Sequence, residues 1–169
     1  LLASIHLQAG ELERSLAEHL ELLGELDPVR DADRRAPTEN NAGWLLCQLG
    51  RCEEAGPHYR SLLTAAPPWP VYGDAGLAQV ELASGDAAAA VARVVRTMPA
   101  VEHLPMPDHH ALRAELRATH ARALAELGDL EGALRATKLA LADHRELGTS
   151  PEVVTELEAL EQRLAAHPR

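Results

Sequence analysis

Nine histidines and two cysteines are the side chains in this 169-residue sequence best suited to ligate a metal or to act as nucleophiles. The densest group is His103, Asp108, His109 and His110, beside prolines 99, 105 and 107. Adjacent histidines on a helix point about 100° apart, and no HxxxH pair occurs that would set two imidazoles on one face. Cys47 and Cys52 stand five residues apart across Gly50, a spacing that is neither a disulfide framework nor a zinc motif, and they read as structural thiols. Glu53-Glu54 and the other acids lie on helix faces and read as solvated, and no glycine-rich phosphate loop is present. No catalytic constellation emerges. An enzyme is not expected, and neither a metal nor another cofactor is called for.

Composition sets the class of fold that must carry whatever the chain does. Hydrophobic residues make up 46% of the chain, Phe is absent and aromatics are only 2%, so small and aliphatic side chains of high helix propensity must build the core. An all-α fold follows. A net charge of −10 excludes general nucleic-acid binding by this segment, since phosphate neutralisation needs a basic surface. No apolar run reaches the roughly 18 residues of a spanning helix, and no secretory signal opens the chain. A cytoplasmic protein with no membrane partner is expected. The chain begins with Leu within helical sequence, which suggests a piece of a longer protein, and its Ala, Arg and Leu usage suggests a bacterial source.

Helical periods interrupted by glycine and proline divide the chain. Leu12, Leu16, Leu20 and Leu23 recur at helical spacing after a turn at Gly10, and Asp27-Pro28 closes that segment. Val29 to Pro37 carries charges of both signs without an apolar period and reads as a linker, with Thr38 capping the next helix. From Asn40 to Pro67 two helices meet at Gly50, with Gly43 small enough for close packing and Ala55 and Tyr59 one turn apart. Ala90 and Val94 repeat that pair after Gly85, with Asp86 as the cap. A long helix precedes Gly128, after which Leu130, Leu134, Thr137 and Leu141 share a face that stops at Gly148. Ser150-Pro151-Glu152 starts a last helix whose seam is Val153, Leu157, Leu160 and Leu164.

A turn glycine, an inward alanine, an aromatic and a closing proline within 40–67 resemble the tetratricopeptide repeat, a helix-turn-helix unit of about 34 residues. The resemblance implies a right-handed α-α superhelix forming one domain over 1–169, with repeats at 1–28, 38–67, 70–99 and 108–148 and a capping helix at 150–167. It further implies a concave groove lined by the first helix of each pair, which binds a peptide or a partner protein. Carried over residue by residue, the groove wall is Ser4, Leu7 and Gln8; Asn40, Asn41, Trp44, Cys47 and Gln48; Tyr72, Gln79 and Leu82; Thr119, Arg122 and Glu126. Asn40 and Asn41 offer both donors and acceptors to a peptide backbone, and Trp44 and Tyr72 offer rigid apolar area. The departure is in charge: the only lysine is Lys138, so capture of a free carboxylate is disfavoured.

Two readings from different classes follow. The first is a non-catalytic interaction scaffold, and the second a sensory or regulatory segment of a larger bacterial signalling protein or transcription regulator. A metal-binding or enzymatic protein using the His103 to His110 loop ranks third. The apolar stripe of the last helix also offers a homodimer contact.

Overall fold

In a computed structural model that describes residues 9–104, 108–149 and 151–166, the chain is all-α, without a strand among the described residues. The helices are α1 (Ala9–Glu25), α2 (Ala32–Gln48), α3 (Gly56–Leu62), α4 (Trp69–Ala83), α5 (Ala87–Val101), α6 (Asp108–Glu126), α7 (Leu130–Leu147) and α8 (Pro151–Ala165). A 3-10 turn over Cys52–Ala55 leads into α3. They fall into two compact units, one within residues 7–84 and one within residues 85–169.

In the first unit α1 packs on α2, α2 on α3 and α3 on α4, and α2 also touches α4. Its core joins Leu16 of α1, Leu45 and Leu46 of α2, Ala55, Tyr59 and Leu62 around α3, and Leu77 of α4. Tyr59 is the large side chain at the centre; two glycines make room for its ring and a third for its backbone. A Cβ placed on Gly43 would lie 2.8 Å from the ring, one on Gly73 would lie 2.7 Å from the Tyr59 carbonyl oxygen, and one on Gly76 would overlap the ring itself. The small residue expected at Gly43 thus serves close packing, and α4 contributes Gly76 against the same ring and Gly73 against the α3 backbone.

The expected linker at Val29–Pro37 is corrected: α2 begins at Ala32, with Pro37 inside it. The physical reason is Arg35, whose Nη1 donates to the Leu23 and Leu26 carbonyl oxygens at 3.2 Å each. That guanidinium satisfies acceptors which the end of α1 leaves open, and it does so from a helical position. Thr38 is accordingly not a cap. It is buried within α2 and donates its hydroxyl to the Arg34 carbonyl oxygen at 2.7 Å. Gly10, expected as a turn, belongs to the first turn of α1, and α5 runs through Pro99 as far as Val101.

The other punctuation holds. Gly50, Gly85, Gly128 and Gly148 have φ of +73°, +81°, +80° and +61°, the left-handed region that glycine enters without a Cβ penalty. Asp86 accepts from the Ala89 N–H at 3.0 Å, and Asp129 caps α7 by accepting from the Gly132 N–H at 2.9 Å.

In the second unit α5 packs on α6, α6 on α7 and α7 on α8. Ala121, Ala133 and Ala136 meet Leu160 and Leu164 in one cluster, while Ala118, Ala140 and Leu141 meet Leu157 in another. The seam expected on α8 is therefore buried against α6 and α7, so the stripe offered for a homodimer is covered within the chain. On α7 the expected face holds at Thr137 and Leu141, which are buried, and at Leu134, which packs on the core; Leu130 is 39% exposed, and Ala133, Ala136 and Ala140 also point inward. Ser150, expected as the cap of α8, lies outside the described residues.

Candidate functional site

The polar and aromatic residues expected on the groove wall gather chiefly on α2 and α4. Asn40, Asn41, Trp44 and Gln48 occupy successive turns of α2; Asn41 and Gln48 are exposed, Asn40 and Trp44 half-buried. Tyr72 and Gln79 stand two turns apart on α4, both half-buried. Trp44 and Tyr72 each rest one side on the core of the first unit. Tyr72 also lies 5.4 Å from the Trp69 ring, tilted by 46°. That geometry suits a fixed aromatic surface, since the rings are held from beneath.

Asn41 is further oriented by α1. His19 Nδ1 lies 2.8 Å from the Ser15 carbonyl oxygen, which can only accept, so Nδ1 carries the proton. His19 Nε2 is then the acceptor for the Asn41 amide N–H at 3.3 Å. One amide hydrogen is thereby engaged while the Asn41 side chain stays at the surface.

Arg122 and Glu126 lie on α6 in the second unit. Arg122 is engaged: its Nε and Nη2 donate to Glu156 of α8 at 3.1 and 3.0 Å. Glu126 is exposed at the end of α6. Thr119, also expected on the wall, is instead buried, its hydroxyl donating to the Glu115 carbonyl oxygen at 3.0 Å. Leu82 is half-buried on α4. Ser4, Leu7 and Gln8 lie outside the described residues. Cys47, taken as a structural thiol, is bonded to Cys52 in a disulfide.

Two buried carboxylates correct the expectation that the acids are solvated. Glu39 accepts from His58 Nδ1 at 2.7 Å and pairs with Arg35 Nη2 at 3.0 Å. Asp143 accepts from Arg113 at 2.9 and 3.3 Å and from Arg117 at 2.7 Å, tying α7 to α6. Both carboxylates spend their lone pairs on donors of the same unit, which suits bracing rather than proton abstraction. Continuing the Ala133, Ala136 and Ala140 face one more turn would have flagged position 143, whereas Glu39 lay open only through its i,i+4 pairing with Arg35.

No group of three or more His, Cys, Asp or Glu placed to hold a metal occurs among the described residues. The side chains of Asp108 and His109, and with them part of the His103 to His110 group, lie outside the described residues. No helix among the described residues is long and apolar enough to cross a membrane.

His144 is buried beside the Asp143 brace, with Nδ1 2.9 Å from the Thr149 hydroxyl. Burial pushes its pKa down and Arg122 adds to that, while Asp143 and the Ala114 carbonyl oppose. Burial likewise lowers His120, with Asp129 opposing. Both imidazoles bind protons more readily when the chain is unfolded, so their contribution to stability is full above the ordinary histidine pKa and is lost as pH falls through the lowered folded values. Urea unfolding of the second unit is expected to show lower stability at pH 5.5 than at pH 7.5. In His120→Gln/His144→Gln that difference should shrink, and an unchanged difference would assign it to the carboxylates.

Comparison with protein-family models, curated proteins and solved structures gives no match to this chain.

Proposed function

We propose that this chain is a non-catalytic interaction module of the tetratricopeptide-repeat kind, which holds an extended peptide or a segment of a partner protein against α2 and α4. The observation that carries this reading is the joint presentation, on two helices in contact, of Asn40, Asn41, Trp44, Gln48, Tyr72 and Gln79. Amides provide donors and acceptors for a peptide backbone, and the two supported aromatics provide apolar area at little entropic cost. Helix pairs closed by left-handed glycines, with α8 covering the apolar sides of α6 and α7, agree with repeats whose successive helices bury one another within a unit. Arg122 and Glu126, on α6 of the second unit, are partner contacts of that unit in their own right, Arg122 exchanging Glu156 for a partner's carboxylate.

The test is to select peptides from a display library on the folded chain and measure their binding by fluorescence anisotropy. Trp44→Ala is expected to weaken selected peptides at least tenfold, and Asn41→Ala and Tyr72→Ala severalfold, with helicity unchanged. Peptides that bind all three variants as tightly as the parent would remove the α2–α4 surface from consideration.

A further inference from the structure

The bond between Cys47 and Cys52 spans the turn between α2 and the 3-10 turn before α3. That turn has its own support. The Gly50 N–H donates to the Cys47 carbonyl oxygen at 3.1 Å and the Arg51 N–H to the Leu46 carbonyl oxygen at 2.8 Å. The turn at Gly128 repeats this pairing, Gly128 N–H to Ala125 at 3.1 Å and Asp129 N–H to Leu124 at 3.0 Å, with no cysteine present. Gly148 does the same after α7, its N–H reaching Arg145 and that of Thr149 reaching His144. The geometry therefore does not need the covalent bond. A bridge between residues only five apart also constrains the unfolded chain least.

The two cysteines, both half-buried, have different neighbours. Cys47 packs against the apolar core of the first unit. Cys52 lines an open depression of about 270 Å³ with Gly50, Arg51, Glu53, Glu54 and Ala83. The charge there is negative: Arg51 is engaged by Glu54 at 2.7 and 2.8 Å and stands 3.5 Å from Glu13, and Glu53 also lines the depression, so one guanidinium faces a larger number of carboxylates.

We infer that Cys47–Cys52 is a reversible thiol–disulfide exchange site, opened in the folded protein by a small neutral or cationic thiol that enters the depression and attacks Cys52 Sγ. The incoming thiolate forms a bond to Cys52 Sγ while the S–S bond breaks and its electron pair leaves on Cys47 Sγ, which takes a proton from water. A second thiolate then attacks the reagent sulfur of this mixed disulfide and releases the Cys52 thiolate. Two thiols are oxidised to one small disulfide, and the protein disulfide is reduced to two thiols. The surrounding carboxylates oppose anionic thiols, an effect that salt screens.

The experiment treats the chain, purified without reductant, with cysteamine or 3-mercaptopropionate. Each time point is quenched with iodoacetamide and read by intact mass, with far-UV circular dichroism in parallel. Two added carbamidomethyl groups are expected in protein of unchanged helicity, at least about tenfold faster than the chain unfolds. With each thiol's rate normalised to its rate on a small neutral disulfide, cysteamine should lead about threefold or more at low salt, and the lead should shrink at 0.5 M salt, where the Debye length is below about 5 Å. In Cys47→Ala the remaining Cys52 should alkylate about fivefold faster than Cys47 does in Cys52→Ala. Two free thiols in the purified protein, reduction only at the unfolding rate, helix loss on reduction, or a faster Cys47 would each overturn the assignment. Should either single variant fail to fold, the mass and dichroism series on the parent chain decides.

Discussion

Gly76→Ala is expected to destabilise the first unit by about 3 kcal/mol, at the upper end of what overpacking costs. The added Cβ would overlap the Tyr59 ring, which is only 3% exposed and is confined on its other side by Gly43 of α2. The backbone has little room to yield either, since the Tyr59 carbonyl oxygen and the Leu62 side chain lie close against Gly73, one turn earlier on α4. Urea unfolding followed by circular dichroism measures the loss. A double-mutant cycle identifies its cause: Tyr59→Ala alone should cost about 3–5 kcal/mol through the cavity it leaves. The pair Tyr59→Ala/Gly76→Ala should cost clearly less than the sum, because the new methyl then enters vacated space. Additive losses would mean that the methyl acts through the α4 backbone and not through the ring.

Asp143→Ala should be comparably severe in the second unit. It removes the carboxylate that three donors share and leaves Arg113 and Arg117, one helical turn apart on α6, facing each other without a counter-charge. Removing one partner of a buried ion cluster costs about 3–5 kcal/mol. Because the two guanidinium side chains retain 21% and 24% exposure, the lower end of that range applies. For a unit of this size about 3 kcal/mol lowers the midpoint of thermal unfolding by roughly 10 °C or more. The triple variant Arg113→Met/Arg117→Met/Asp143→Leu should recover most of the loss, since apolar replacement of a whole buried cluster is often neutral or better. A single Asp143→Ala change that leaves the midpoint within a degree or two would show the brace to be dispensable.

What could be read along the chain was whatever neighbours within about four residues determine. Helix-forming residues, the left-handed glycines, the Asp86 cap and the Leu157, Leu160 and Leu164 seam depend on backbone geometry and i,i+4 spacing, and each stands where the sequence put it. The same holds for Ala55, Tyr59, Ala90 and Val94, all buried. Of the binding face, the residue types and their place on α2 and α4 were legible, while the support of Asn41 by His19 was not.

The failures share one origin. Val29–Pro37 has no apolar period and so resembles a linker, but its Arg35 answers carbonyl oxygens 9 and 12 residues earlier, a demand that no local pattern records. Asp143 looks like any surface acid until residues 26 and 30 positions away bring their charges to it. Arg122, a free cation by composition, is claimed by Glu156 34 positions further on.

Sequence alone thus determined that this protein is helical and that four of its helices stop at Gly50, Gly85, Gly128 and Gly148, because hydrogen bonding and capping are settled between near neighbours. Only the tertiary structure decided which small residues make room for Tyr59, which carboxylates are buried and that Cys47 meets Cys52. Those outcomes depend on which faces meet once the helices pack, and packing chooses among faces that look equally apolar along the chain.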